Sequence, residues 1–540
     1  MANIAFYGSH NASIVVEEGG EILLVLEFER FLNYKNSGIA QYKCPKHSDL
    51  LFINEQTIKY VMDKFNIKKF DTCIFLNTDV NMNNNYYQLA NYIPAHRYIT
   101  THHHESHAAS TFYQSPYKEA ITFSFDGGGS DGKFNIYHCT RDYGPMLLEQ
   151  VMNPVPNDEI VHYDLGFPYM ILGHFLGDIK LIDLGDGNLT YPGKLMGYSS
   201  YGKVINEWVQ PFIDFYKSDP NGLNYQEKID ALGEQIGIVF DVNNRLYGDD
   251  AYNLAATSQY AFEECFLEIA RPYILKYSNL PVCITGGCGL NILLNTRLVN
   301  EFPNEIFVAP NPNDCGLALG MMLNYIKPKE PIDATYLGIE LLDIDSLITY
   351  IQNSQFNFVS SNLDFDELTD DLIDGKIIGC ARGKSEHGPR ALGNRSIICN
   401  PTLANMKDIL NKKVKNREWY RPFAPVVRLE DVDTYFEWSS ETRWMSFCPF
   451  VKKAWRERLA AITHIDGTAR VQTVTYEQNP WLYTLITKFK EKTGIGVLLN
   501  TSFNVDGKPI LSTIKDAFHI LENTQMDCLI IEDNYIKKTN

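Results

Sequence analysis

Gly383-Lys384-Ser385-Glu386-His387-Gly388-Pro389-Arg390-Ala391-Leu392-Gly393-Asn394-Arg395-Ser396 is the stretch on which the reading of this 540-residue chain turns. The chain is acidic, with a formal net charge of -18, yet residues 376–428 hold twelve Lys or Arg against three Asp or Glu. The plain reading of such a run is the solvated face of a basic helix. Gly-Pro and Gly-Asn steps argue against it, because they break helical periodicity. The run reads better as a loop-rich pocket for an anion. Arg offers planar, permanently charged donors to phosphate or carboxylate oxygens, and Gly lets backbone N–H groups approach the same oxygens.

Around this stretch, strands are expected at 376–381, 396–399, 424–428 and 496–499, and helices at 406–413 and 480–492. That mixture points to an α+β domain. Upstream, Tyr325-Ile326-Lys327-Pro328-Lys329-Glu330-Pro331-Ile332 reads as a linker. The expected domains are therefore 1–335 and 336–540. In the first, a strand at 3–8 precedes a hairpin of 13–16 and 22–27, turned across Glu18-Gly19-Gly20. A second set follows: a strand at 120–125, then Gly127-Gly128-Gly129, then a strand at 134–138. Strand, small polar loop, strand thus occurs twice, as in two related lobes.

Three small-residue loops each relate to an apolar strand: Gly8-Ser9-His10-Asn11-Ala12-Ser13, Asp126-Gly127-Gly128-Gly129-Ser130-Asp131-Gly132 and Gly286-Gly287-Cys288-Gly289-Leu290-Asn291. One such loop is commonly a tight turn. Three look like the two phosphate loops and the adenosine loop of the two-lobed actin-like ATPase fold, an α/β architecture. Asp126 would then sit beside the phosphates. Lys194 could neutralise one of them, or be an exposed turn lysine.

His103 and His107 are four apart, which puts both imidazoles on one face of a helix. Two neutral imidazoles so placed can bind one transition metal, and the carboxylates must come from elsewhere. Asp126 and Asp314, both at strand or loop ends, are candidates. Such a set suits iron, manganese or zinc; the alternative is exposed or core histidines. His102 and His104 point elsewhere on the helix, as supporting or exposed groups.

Composition bounds the rest. The length implies two to four domains. Hydrophobic content of 45% and charged content of 21% are those of a soluble globular protein. Met1-Ala2-Asn3-Ile4-Ala5-Phe6 has no basic region before a long apolar run, and no stretch reaches bilayer length, so no signal peptide, no membrane partner and a cytoplasmic location are expected. Eleven cysteines without a CxxC pair suit reduced thiols. Cys283, Cys288, Cys380 and Cys399 read as small core residues. The acidity disfavours a non-specific grip on nucleic acid.

Together these residues resemble the O-carbamoyltransferase family, whose members carbamoylate nodulation factors, antibiotics and toxins. The markers are the 386–396 run, Arg421-Pro422-Phe423-Ala424-Pro425, His464-Ile465-Asp466-Gly467-Thr468-Ala469-Arg470-Val471-Gln472-Thr473 and Leu499-Asn500-Thr501-Ser502-Phe503-Asn504. In the first half they are Glu29-Arg30-Phe31, His103-His104-Glu105-Ser106-His107-Ala108-Ala109 and Gly193-Lys194-Leu195-Met196-Gly197. The resemblance implies an actin-like (Kae1-like) N-terminal domain similar to the tRNA threonylcarbamoyl-transfer enzyme. It implies a C-terminal YrdC-like domain similar to the enzyme that makes threonylcarbamoyl-adenylate.

The implied chemistry has two steps: carbamoyl phosphate and ATP give carbamoyl-adenylate in the second domain, and an acceptor hydroxyl takes the carbamoyl group in the first. Arg390, Lys415, Arg421 and Arg470 would grip the anions, and Asn500 and Ser502 the carbamoyl phosphate. His103, His107, Asp126 and Asp314 would hold a divalent metal, iron first, then manganese or zinc, with magnesium accompanying ATP. Gly127, Gly128, Gly129, Lys194, Gly286, Gly287 and Asn291 would line the nucleotide. His10 would stand beside the acceptor as base, and Lys35 in the same N-terminal cleft.

The implied partners are carbamoyl phosphate, an alcohol acceptor and a second copy in a homodimer. The acceptor could be a small molecule, or the hydroxymethyl group of a modified pyrimidine in a nucleotide or DNA. Two further readings are an actin-like nucleotide-binding regulator without transfer activity and a tRNA threonylcarbamoylating enzyme. Asn11 stands where Asp is common in the family, Lys384 where Arg is, and Lys508 where Glu is.

Overall fold

Two five-stranded sheets with one topology organise the first half of the chain. In the first sheet, β1 (Asn3–Tyr7) pairs antiparallel with β2 (Ser13–Glu18), and β2 antiparallel with β3 (Glu21–Glu27). On its other side β1 runs parallel to β4 (Phe70–Leu76), and β4 parallel to β5 (Ala95–Thr101). The second sheet repeats the plan with β6 (Glu119–Gly129), β7 (Gly132–Thr140), β8 (Gly144–Val151), β9 (Val282–Thr285) and β10 (Ile306–Phe307). The orders are β3-β2-β1-β4-β5 and β8-β7-β6-β9-β10, with matching parallel and antiparallel pairs. The doubled strand-loop-strand pattern in the sequence is the trace of this repeat.

The computed structural model describes residues 2–36, 47–76, 93–129, 131–151, 163–181, 189–217, 225–354 and 356–539. Ser130 of the Asp126–Gly132 loop and Cys44 lie outside them.

The helix Leu317–Ile326 packs on β1, β2 and β4, the helix His103–Gln114 packs on β6, β7 and β9, and the two helices pack on each other. Each is almost wholly buried, so the pair forms the shared core of the two sheets. Gly320 is where their backbones approach: a Cβ there would lie 1.8 Å from the Ser106 carbonyl oxygen. A larger residue would push the helices apart and move His103 and His107 with them.

The described residues fall into two compact units. One comprises Met1–Glu29 and Asn36–Ala334, and the other Arg30–Lys35 and Thr335–Asn540. A single cut near 335 therefore does not describe residues 30–35, which group with the second unit. Its sheet has eight strands: β11 (Asn357–Asn362), β12 (Ile378–Ala381), β13 (Arg395–Cys399), β14 (Ala424–Arg428), β15 (Gln472–Val474), β16 (Val497–Ser502), β17 (Cys528–Ile531) and β18 (Asn534–Thr539). Their order is β11-β18-β17-β12-β13-β16-β14-β15, with parallel pairing only at β12–β17 and β14–β15. The whole is a mixed α/β fold.

Two expected elements differ in detail. The helix of 406–413 is α-helical only over Met406–Ile409 and continues as a π-turn over Leu410–Val414. Lys415 N–H bonds the Leu410 carbonyl at 2.8 Å, five residues back. The wider turn changes the direction in which Lys415 leaves the helix. The Gly127–Gly129 segment is not a free loop either. β6 continues to Gly129 through a register shift, because Phe125 pairs with Phe134 and Gly129 with Gly132. No described helix is long and apolar enough to cross a membrane.

Candidate functional site

Four side chains of the first unit converge. His103 and His107, on the first two turns of their helix, meet Asp126 from the β6 bulge and Asp314 from the turn before Leu317–Ile326. One ligand atom from each lies within 4.8 Å of all the others. His107 Nε2 is 3.2 Å from Asp126 Oδ2 and 3.4 Å from Asp314 Oδ1, and His103 Nε2 is 3.1 Å from His107 Nε2. The helix supplies the imidazole spacing, and the bulge turns Asp126 out of the strand ladder.

The carboxylates are held in place by two glycine amides and by Tyr7, of which the sequence did not single out Tyr7. Asp126 accepts from the amides of Gly127 at 2.6 Å and Gly287 at 2.7 Å. Gly286 has φ +86°, and a Cβ there would sit 2.1 Å from the Phe125 carbonyl oxygen. Only glycine lets the β9 turn approach Asp126 this closely. Asp314 turns one oxygen to the imidazoles and the other to Tyr7, whose hydroxyl donates to it. His10 Nδ1 stands 3.4 Å from that second oxygen and 3.4 Å from Asn11 Oδ1. Asn11 has φ +59°, a left-handed conformation Asn tolerates better than most residues.

The charges fit a cation. Burial opposes charge on His107, but its bonds to Asp126 and Asp314 outweigh that and raise its pKa to about 9. Burial and the opposing carboxylate act upward on Asp126, yet His107 holds its pKa below the ordinary value. Two carboxylates thus draw a proton onto His107 where a divalent ion could stand instead. His104 is a different case. It is fully buried, with Nδ1 2.8 Å from Ser124 Oγ and Nε2 2.9 Å from the Gly132 carbonyl oxygen. Burial and then His103 lower its pKa to about 4. It is a core residue that fixes the β6–β7 turn against the helix, so of the two readings, supporting or exposed, the exposed one does not hold for His104. His102 is exposed.

The nucleotide-loop residues divide. Gly127 and Gly287 direct their amides at Asp126, as above. Asn291 caps the helix Ile292–Glu301, accepting from Leu294 N–H at 3.0 Å, and exchanges two bonds with Gln259. Its amide is committed to structure. Lys194 lies in the helix Tyr191–Ser199, 3% exposed, with Nζ 5.7 Å from the centre of the Tyr191 ring. It is not an exposed turn lysine.

The second unit gathers cations. Burial and then Arg421 push the Arg390 pKa down to about 10. Arg470 is lowered by burial, then Arg390 and Arg421. Lys415 is lowered by burial, then Arg417, Arg421 and Lys35. Arg417, absent from the sequence-based set, belongs here too: burial, Arg421 and Arg470 all act against its charge. Its Nε bonds Asn411 Oδ1 at 2.6 Å, and its guanidinium lies 4.2 Å from the centre of the Phe423 ring. Glu418 and Asp506 face Arg421 at 3.2 and 3.8 Å, too few acids to neutralise the group. Lys35, expected in the N-terminal cleft, groups with the second unit and is one of the cations acting on Lys415. Lys415 Nζ bonds Ser502 Oγ at 3.1 Å and the Asn504 carbonyl at 2.9 Å, and so ties the β16 end to the π-turn.

The 383–396 run is a framed loop. Glu386, fully buried, accepts three backbone amides with one oxygen: Leu392 at 2.7 Å, Asn394 at 2.8 Å and Arg395 at 3.1 Å. Arg395 is also fully buried and donates to the carbonyls of Arg382, Gly383, Ile339 and Asn394. Arg30 donates from its two terminal nitrogens to the carbonyls of Glu386 and Gly388. Glu386, Arg395 and Arg30 thus hold the frame, and Arg390 is the member presented to the cluster.

Family models match both halves of the chain: "Carbamoyltransferase N-terminus" over 94–323 and "Carbamoyltransferase C-terminus" over 369–538. Nodulation protein NolO of Bradyrhizobium diazoefficiens is 31% identical over 455 residues, covering 81% of this chain and 78% of that protein. An uncharacterized protein of Methanocaldococcus jannaschii is 29% identical over 544 residues, 98% of each. The 3'-hydroxymethylcephem-O-carbamoyltransferase of Amycolatopsis lactamdurans is 35% identical over 281 residues, 51% of this chain and 52% of that protein. Among solved structures, full-length HypF with phosphate and nucleotide bound aligns at a TM-score of 0.35 and 15% identity, over 60% of this chain and 46% of that one, too weak a likeness to carry weight. The chain belongs to the O-carbamoyltransferase family and is an enzyme of the carbamoyltransferase class.

Proposed function

We propose that this enzyme uses ATP and carbamoyl phosphate to make carbamoyl-adenylate in the second unit, and passes the carbamoyl group to an alcohol in the first. In the activating step, water cleaves carbamoyl phosphate to carbamate and phosphate. A carbamate oxygen then bonds the α-phosphorus of ATP as the bond to pyrophosphate breaks. Both substrates and all products are anions, and the charge concentrates on phosphoryl oxygens. The observation that carries this reading is the gathering of Arg390, Arg417, Arg470 and Lys415 around Arg421: burial first, and then the neighbouring cations, disfavour the charge of those four, and an anion would relieve them. Fixed cations aimed at developing charge are commonly the largest catalytic contribution.

In the transfer step the acceptor oxygen bonds the carbonyl carbon, the bond from that carbon to the phosphate oxygen breaks, and AMP leaves. The acceptor proton goes to His10, which Asp314 and Asn11 orient through Nδ1. A divalent cation held by His103, His107, Asp126 and Asp314 would supply Lewis acidity toward the adenylate. Tyr7 and the Gly127 and Gly287 amides keep the two carboxylates aimed. The acceptor is an alcohol, as for the cephem enzyme by its name.

Incubation with carbamoyl phosphate, ATP and a divalent metal, followed by mass spectrometry, should give AMP-linked carbamoyl species, phosphate and pyrophosphate. A folded protein that releases no pyrophosphate under these conditions refutes the activating step. A library of alcohols, screened for addition of one carbamoyl group, then identifies the acceptor.

A further inference from the structure

We propose that Gln472 is a positioning residue that makes the second unit selective for a carbonyl compound bearing an amino group. The assignment rests on the reading of that unit as the activating site. It starts from two backbone carbonyls, which can only accept hydrogen bonds. Leu392 O receives Gln472 Nε2 at 3.0 Å, so the amide nitrogen of Gln472 must face that way. Gln472 Oε1 therefore faces Asn500, and receives Asn500 Nδ2 at 2.7 Å. Asn500 Nδ2 places its other hydrogen on Ala391 O at 3.0 Å. The orientation of both amides follows from the carbonyls, with no freedom to flip.

Both hydrogens of Asn500 are thus spent, and its Oδ1 has no hydrogen-bond partner among the described residues. The residue is fully buried, so this acceptor has no recourse to bulk water. A ligand that satisfies it must donate a hydrogen bond. Carbamoyl phosphate and carbamate each carry an amino group that donates. Acetyl phosphate and acetate, of closely similar shape, carry a methyl group there and would leave the oxygen unsatisfied.

The members of the network adjoin the cations along the chain. Ala391 follows Arg390 directly. Gln472 opens β15, two residues beyond Arg470, and Asn500 lies two residues before Ser502 on β16. In an extended strand, residues two apart share a face, so Asn500 lies on the face of Ser502, whose hydroxyl bonds Lys415. Buried polar groups built to pair with a substrate hydrogen reject analogues that lack it more strongly than apolar pockets sort by size.

The test compares adenylate formation from carbamoyl phosphate and from acetyl phosphate, read as pyrophosphate release. Gln472→Met keeps the volume and removes both bonds, which frees Asn500 to rotate. We expect the carbamoyl-over-acetyl preference to fall about tenfold, through a higher KM for carbamoyl phosphate with the KM for ATP little changed. Gln472→Glu still accepts from Asn500, so the preference should survive even if the rate drops. An unchanged preference in Gln472→Met, or equal loss in both variants, overturns the assignment while leaving the activating reaction standing. A wild-type protein that makes no adenylate from either donor overturns both.

Discussion

The histidine–aspartate cluster of the first unit and the arginine cluster of the second pose opposite electrostatic problems. In the first, two carboxylates lie against two imidazoles, and His107 answers by holding a proton to about pH 9. In the second, several guanidinium groups and an ammonium repel one another. Burial and then the neighbouring cations favour the neutral form of Lys415, but Arg390 stays charged to about pH 10. A histidine can trade its proton for a cation within the physiological range. Arginine keeps its charge, so the remaining way to relieve that cluster is an anionic ligand. On the proposed reading, the first site responds to pH and the second to its anionic substrate.

The largest effect that would break this contrast concerns the division of labour. Arg421→Ala should cut adenylate formation by about a thousandfold, while transfer from supplied carbamoyl-adenylate stays near wild type. His107→Ala should do the reverse, with transfer falling by at least about a hundredfold and pyrophosphate release retained. Parallel loss of both steps in either variant would mean that the clusters do not act separately.

Gly286→Ala should destabilise the folded protein by about 2–4 kcal/mol, from the left-handed backbone and the contact with Phe125. Chemical denaturation with and without metal would also show weaker metal binding, since the Gly287 amide moves from Asp126.

The smallest effect sharpens the pH side. His107 has a folded pKa of about 9, above its ordinary 6.5. The stability it contributes to the metal-free protein is fully present below about pH 6.5 and is lost as pH rises through 9. Thermal unfolding of the metal-free protein should decline over that window, and less so in His107→Ala. Metal binding at pH 7.5 should release about one proton, measurable by calorimetry in buffers of different ionisation enthalpy. No proton release would show that His107 is neutral in the metal-free state.

How much of this was legible depended on whether the signal was local. The His103–His107 spacing is a helical repeat, so one turn of sequence revealed it. The two sheets announced themselves through apolar runs beside glycines, and Arg390, Arg421 and Arg470 through a family pattern. The roles of Tyr7, Arg30, Arg417 and Gln472 stayed hidden, although Arg30 and Gln472 stand within the quoted marker motifs. Arg30 meets its carbonyls 356 and 358 residues downstream, and backbone acceptors have no side-chain signature. Asn291 was ambiguous in the sequence because a small polar residue after glycines suits a helix cap, which it forms, as well as a nucleotide loop. Arg417 lay in plain view between Lys415 and Arg421, but nothing local separated it from Arg382, which pairs with Asp533.

Residues 30–35 have a consequence for anyone recombining this enzyme with its relatives. A chimaera joined at 335 would supply the second unit with a foreign counterpart of Arg30 and Lys35, although the graft looks clean in the sequence. Exchanging the C-terminal half faithfully means moving two pieces of chain, one of them only six residues long.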